Sequence, residues 1–250
     1  MRIAVISDIH GNCVALDAAL ADLERHPTDQ LICLGDAIQG GPQPAQVVSR
    51  LRALACPVVM GNADAWLLTG FETGQEPTRE DRHRMLDAVR EWSLAQLSPE
   101  DRSFIQAFRP TVELALGAGR RMLCFHGSPV SFDDVMLPDS PQEQLLKFLG
   151  EYRFDVLCGG HTHVQFVRRL GDDGRFFFNP GSVGFAYSHH QPEDTFRADA
   201  WAEYAVLTPE GDRMGLEFCR VPYDAAPLID AYRTSGRPYA DQAAAQYASR

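Results

Sequence analysis

The sequence predicts an α/β fold built on a buried, parallel sheet. Three early apolar runs carry this reading: Ile3–Ile6, Leu31–Leu34 and Pro57–Met60. Each is continuous rather than alternating, as strands covered on both faces are. Each is followed by a loop of Gly, Asp, Asn or His, and the runs are separated by stretches of helical periodicity. A length of 250 residues suits one large domain or one domain with a cap. We read 1–250 as a single domain, with a helical cap inserted at about 65–110.

The first strand ends abruptly in Asp8-Ile9-His10-Gly11-Asn12. Val14, Leu16, Ala19, Leu20 and Leu23 then recur at helical spacing, with Asn12 placed to cap that helix and Pro27 to stop it. Leu31–Leu34 ends in Gly35-Asp36, and a loop over Ala37–Pro44 leads to a helix over Ala45–Ala55. The third run ends in Gly61-Asn62-Ala63-Asp64. From Ala65 to Phe108 the chain is charged and helical, with Ser98-Pro99-Glu100-Asp101 a helix start; an ordinary pair of surface helices is the alternative to a cap.

Thr111–Leu116 and Arg121–Phe125 flank Gly117-Ala118-Gly119 as a hairpin, and the second arm ends in His126-Gly127. A helix over Ser140–Tyr152 precedes a strand over Asp155–Cys158, which runs into Gly159-Gly160-His161-Thr162-His163. Val164–Leu170 and Arg175–Phe178 form a second hairpin before the tight loop Asn179-Pro180-Gly181-Ser182. Phe185–Ala200 reads as an irregular loop. Ala202–Leu207 and Met214–Val221 form a last hairpin, Asp224–Thr234 a helix, and the final alanine-rich dozen residues a peripheral tail.

A net charge of −11 argues against nonspecific binding to nucleic acid or to an anionic membrane, although a bound dication would reverse the sign locally. No signal peptide or apolar run of bilayer length is apparent. The six cysteines, at 13, 33, 56, 124, 158 and 219, make no CxxC pair. We read them as reduced thiols of a cytoplasmic protein.

The strand ends together carry Asp8 with His10, Asp36, Asn62 with Asp64, His126, and His161 with His163. Capped turns and surface histidines do not account for five such coincidences. A mixed nitrogen and oxygen donor set without cysteine suits Mn, Fe, Zn, Co or Ni better than Ca or Mg, and is not a structural thiolate zinc site.

These pieces resemble the calcineurin-like metallophosphoesterases, in that family's order, from Met1 to about Ser182. The Asn179-Pro180-Gly181-Ser182 loop resembles the small prokaryotic phosphodiesterase branch. The resemblance implies a four-layer α/β/β/α sandwich of two mixed sheets. It implies two divalent or trivalent ions, Mn foremost with Fe, Zn, Co or Ni as alternatives. Asp8, His10 and His163 would hold one ion; Asn62, His126 and His161 the other; Asp36 would bridge. The implied reaction is phosphodiester or phosphomonoester hydrolysis by a metal-bridging hydroxide, with Asp36 and Asn62 among the catalytic residues. Asn12 is either a phosphate contact or a helix cap. Asp64 and Asn179 are candidates for orienting imidazoles, with a helix cap the rival reading for Asp64.

The chain departs from the family at Ala63, where many members carry a histidine that acts on the leaving group. His189 and His190 lie in the loop after Ser182, either reaching the pocket or simply solvated. Gln39-Gly40-Gly41-Pro42, Phe185 and Tyr187 either line a substrate pocket or pack their loops. The expected substrate is a small phosphate ester or nucleotide, with a phosphoprotein as a further option. The alternative is a catalytically weak or inactive metal-stabilised interaction scaffold of the same fold.

Overall fold

The computed structural model describes residues 1–70, 80–192 and 195–247. The first strand, β1 (Ile3–Ile6), shows why its apolar run is unbroken. Ile3 and Val5 enter one core, and Ala4 and Ile6 enter another on the opposite face.

β1 lies inside a four-stranded mixed sheet. β2 (Gln30–Cys33) pairs parallel to it on one side, β8 (Trp201–Glu210) antiparallel on the other, and β9 (Arg213–Pro222) completes the sheet outside β8. The second sheet is also mixed, in the order β3 (Val112–Gly117), β4 (Arg120–Cys124), β5 (Val156–Cys158), β7 (Phe176–Pro180), β6 (Gln165–Arg169). Its centre, β4–β5–β7, is parallel.

Three clusters define the layers. Between the sheets, Ile3, Val5, Ile32 and Leu34 meet Met122, Cys124, Val156, Cys158 and Phe178. On the outer face of the first sheet, Ala4, Ile6 and Tyr204 meet α1 (Cys13–Arg25) and α2 (Pro44–Leu54) through Leu16, Ala19, Val47 and Leu51. On the outer face of the second, Leu123, Phe125, Leu157 and Phe177 cover α6 (Gln142–Leu149) through Leu145 and Leu149. The arrangement is an α/β/β/α sandwich of two mixed sheets.

Between Gly61 and β3 the described chain holds three helices: α3 (Asn62–Thr69), α4 (Glu80–Ala95) and α5 (Pro99–Gln106). The expected cap spans this region, and its residues 71–79 lie outside the described residues. Ser98 starts α5 with a reciprocal capping box to Asp101.

The structure corrects two expectations. Pro57–Met60 is not a full strand; it makes only the isolated bridges Cys33–Val58 and Val59–Arg109. Pro57 has no N–H to give, so its carbonyl and the Val59 N–H alone bond to Cys33. The C-terminal tail is not peripheral. α8 (Ala240–Ala245) packs on α7 (Ala226–Thr234), with Ala244 and Tyr247 buried against Ala198, Leu228 and Tyr232. The Tyr247 hydroxyl donates to the Gly184 carbonyl.

Candidate metal centre

Six of the seven residues expected to bind metal stand just beyond C-terminal strand ends, and the seventh, Asn62, stands at a helix start. Asp8 and His10 follow β1, Asp36 follows β2, His126 follows β4, and His161 and His163 follow β5. Asn62 opens α3. Ligand atoms of Asp8, His10 and His163 lie within 4.8 Å of one another, and so do those of Asp36, His126 and His161.

The loops carrying these residues approach too closely for side chains between them. A Cβ at Gly61 would collide with Asp36 N and Oδ1, and one at Gly160 with Ser7 Oγ and Asp8 Oδ2. Five of the seven residues have left-handed backbones: Asp8 (φ 54°), His10 (48°), Asp36 (48°), His161 (71°) and His163 (56°). Non-glycine residues resist that region, and clusters of such strain mark functional sites.

Three imidazoles are held in one tautomer by backbone carbonyls. Nδ1 of His10 bonds to Gln39 O at 2.9 Å, that of His126 to Leu34 O at 2.8 Å, and that of His163 to Phe185 O at 2.7 Å. Each carbonyl can only accept, so each Nδ1 carries the proton and each Nε2 points inward with its lone pair.

In the first group, Nε2 of His10 and Nε2 of His163 face each other at 3.1 Å. Asp8 Oδ1 is buried without a hydrogen-bond partner and stands 3.3 Å from His163 Nε2 and 3.9 Å from His10 Nε2. Its other oxygen accepts the His161 N–H at 3.1 Å. In the second group, His126 Nε2 faces Asn62 Oδ1 at 3.0 Å and Asp36 Oδ2 at 3.4 Å. Asp36 Oδ1 is taken by the Ala63 N–H at 2.8 Å, so Oδ2 is the oxygen facing both groups; His10 Nε2 lies 3.8 Å from it.

Acceptors facing acceptors in a buried site require a proton or a cation between them. The titration behaviour reflects that demand. Burial favours the neutral imidazole, yet His126 is pushed up to about 10 because Asp36 outweighs it. His163 is raised likewise by Asp8 against its own burial. His10 is lowered by burial and by His163; His161 is lowered by burial and by His126. Burial would raise the carboxyls of Asp8 and Asp36, but His163 and His126 respectively hold them below the ordinary range. In each group the carboxylate thus favours positive charge beside its imidazole partner. The donor atoms of each group suit a cation.

The other expected residues take different roles. Asn12 is buried and its amide is fully engaged: Oδ1 accepts from Ala15 N, and Nδ2 donates to Gly184 O and the Tyr223 hydroxyl. It is the cap of α1, with no polar atom left for phosphate. Asp64 is neither a helix cap nor an imidazole partner. Its carboxylate accepts from Ala37 N and Ile38 N, fixing the loop after Asp36. Burial, with Asp36 nearby, pushes that carboxyl up to about 7. Asn179 donates to Gly160 O and Thr162 Oγ1 and accepts from Gly181 N, so it shapes the His161–His163 loop through the backbone. His189 is exposed, with Nε2 on Thr162 O at 2.7 Å and its ring stacked on Tyr187; His190 is exposed.

A cavity of about 700 Å³ opens over the site, lined by His10, Asp36, Asn62, Ala63, His161 and His163. Of the residues read as either pocket lining or loop packing, Gln39, Gly40, Gly41, Phe185 and Tyr187 belong to its wall, and Pro42 does not line it. Trp66 and Val89, with Arg237 and Tyr247 from the C-terminal segment, also line it, and sequence reasoning did not single these out. The only local signal for the latter pair is that they stand, with Tyr239, as bulky residues in an alanine-rich stretch.

The fold and this donor cluster define a metal-dependent phosphoesterase. Residues 1–201 match the model of the calcineurin-like phosphoesterase superfamily domain, and the chain belongs to that superfamily. It is 28% identical over 237 residues to the uncharacterized protein MJ0912 of Methanocaldococcus jannaschii, covering 89% of this chain and 88% of that one. It is 27% identical over 193 residues to the phosphodiesterase YfcE of Escherichia coli, covering 73% and 79% respectively. Among solved structures, the metallophosphoesterase from Sphaerobacter thermophilus superposes with a TM-score of 0.74 at 24% identity, covering 98% of each chain. The protein is therefore a hydrolase of the phosphoesterase class.

Proposed function

We propose that this chain hydrolyses small phosphate esters, as a phosphodiesterase or phosphatase, at a centre of two metal ions. The carrying observation is the face-to-face approach of His10 Nε2 and His163 Nε2 at 3.1 Å, with both Nδ1 atoms committed to backbone carbonyls. Asp8, His10 and His163 would hold one ion; Asn62, His126 and His161 the other; Asp36 would be shared. Mn is the first choice for both, with Fe, Zn, Co and Ni as alternatives, because imidazole and carboxylate together suit them. When bound, the ions supply Lewis acidity to the phosphoryl group and acidify the attacking water.

The chain's own part is positioning. Carbonyls of Leu34, Gln39 and Phe185 aim the imidazoles, and Asp64 and Asn179 stiffen the loops that carry them. Ala63 offers no proton to a leaving group, so the site as built favours esters whose leaving group needs none.

We further propose one phosphoesterase domain over 1–250, with the helical segment at about 65–110 as a cap. Trp66 of α3 and Met85, Leu86 and Val89 of α4 on the cavity wall support this. Among the described residues no helix is long and apolar enough to cross a membrane. All six cysteines are unpaired, which supports a reducing, cytoplasmic setting.

The test is purified protein with Mn²⁺ against bis(p-nitrophenyl) phosphate, beside Asp36→Asn. We expect two ions per wild-type chain and turnover. The variant should show no turnover and disturbed binding at both sites, because it removes the charge that offsets two neighbouring cations. Two bound ions without turnover under any divalent metal would replace this reading with the scaffold alternative.

A further inference from the structure

The cavity is bordered by apolar and aromatic side chains, among them Trp66, Phe185, Tyr187 and Tyr247. One corner differs. Arg237, between α7 and α8, reaches the cavity wall and spends Nε on Gly40 O at 2.7 Å and Nη1 on Pro238 O at 2.8 Å. The guanidinium lies over the Tyr232 ring, 5.4 Å from its centroid, and among the described residues Nη2 makes no hydrogen bond and no carboxylate pairs with it. Gln39, the residue before Gly40, lines the same cavity; it is 4% exposed, and among the described residues neither its Nε2 nor its Oε1 has a hydrogen-bond partner. A half-buried cation without a counter-charge and a buried amide without a hydrogen bond both carry a desolvation cost. A ligand's anionic group would supply the counter-charge and accept from Arg237 Nη2 and Gln39 Nε2.

The corner is tied to the metal-binding loops. Gln39 O receives the His10 Nδ1–H at 2.9 Å, and the next carbonyl, Gly40 O, receives Arg237 Nε. We propose that Arg237 and Gln39 form an anion subsite adjoining the metal centre. The substrate is then a phosphate ester whose leaving portion carries a second phosphate. The aromatic wall, in a cavity of nucleotide size, suits a nucleobase on that portion. The substrate class is a nucleoside polyphosphate or a nucleotide joined through phosphate, rather than a neutral alkyl ester. This rests on the phosphoesterase reading of the same site.

The test is equilibrium binding to the full, Mn²⁺-loaded chain by calorimetry, which needs no turnover. The probes are adenosine monophosphate and its two-phosphate relative, α,β-methylene adenosine diphosphate. In the wild type the second phosphate should strengthen binding by about tenfold or more, the range of a hydrogen bond to a charged group. Arg237→Gln should bring the ratio of the two affinities near one. Arg237→Lys should retain part of it, because the charge remains while the fork is lost. A purely structural Arg237 would weaken both ligands alike and leave their ratio unchanged, overturning the proposal. So would a wild-type ratio near one. Failure of the hydrolase reading shows separately, as absent turnover of bis(p-nitrophenyl) phosphate by the same preparation.

Discussion

At His161 the backbone holds φ at 71°, a conformation that glycine adopts freely and alanine does not. The residue type is thus kept against local preference, at a cost of about 1 kcal/mol. Comparing His161→Gly with His161→Ala isolates that cost, since both remove the imidazole. In metal-free protein the glycine variant should be the more stable by about 1 kcal/mol, or about 2–4 °C in Tm for a chain of this size. Equal Tm values would mean the loop relaxes without the ligand. Ala63 carries the second residue-scale prediction. A positioned general acid contributes about 10²–10⁴-fold, and a methyl group contributes none. Rates should fall steeply as leaving-group pKa rises across aryl and alkyl phosphate esters, and Ala63→His should flatten the slope. A shallow wild-type slope, with chemistry rate-limiting, would show that another group donates the proton. Apart from Asn62, which opens α3, the residues converging on the site were legible in the sequence because each follows a buried strand beside a turn former. The partners of Asn12, Asp64 and Asn179 were not. A short amide or carboxylate serves equally as cap, ligand or loop brace, and only the fold brings Ala37 and Ile38 to Asp64.

Among elements, the strand-end loops set the site by how closely they pass. Gly160 lies against Ser7 and Asp8, across the gap between the two sheets. Gly160→Ala should force those loops apart. We expect a loss of about 1–3 kcal/mol, the usual cost of overpacking, with metal affinity reduced at the group containing Asp8. Gly215→Ala, in β9, meets only Thr208 atoms at ordinary contact distance and serves as the control; it should change stability by no more than about 0.5 kcal/mol. Denaturant unfolding and metal titration of both variants check this, and equal effects would contradict it. β1, β2, the three hairpins and the capped start of α5 were readable from local pattern. β8 and β9 run longer than their apolar cores because they pair with each other over ten residue pairs, extending past the hydrophobic stretch. α8 was missed because an alanine-rich segment looks the same whether it docks or frays. What docks it is distant: Tyr247 on Gly184 and Ala244 against the α7 cluster.

In the whole molecule, the two sheets share an apolar core whose upper rim is a row of charges. Asp8, His10 and Asp36 come from the first sheet, and His126, His161 and His163 from the second. No local pattern declared that two separate sheets would meet there; the family's motif order carried that inference. In the absence of ions the rim is a liability: two buried carboxylates and imidazole nitrogens crowd one another at 3.1–3.9 Å. Ions in both groups would convert the same atoms into a clamp between the sheets. Ligands that bind only the folded state stabilise it by mass action, one ion at about a thousandfold its Kd adding about 4 kcal/mol. At about 2–4 °C per kcal/mol for a chain of this length, removing such an ion should lower Tm by about 8–16 °C. Scanning calorimetry of metal-replete and chelated protein, followed by readdition of Mn²⁺, measures the effect. The loss should reverse on readdition, and Asp36→Asn should abolish most of the difference, because Asp36 Oδ2 faces both groups. A chelated protein that melts with the replete one would show that the sheets do not rely on the centre, and would count against tight binding at this rim.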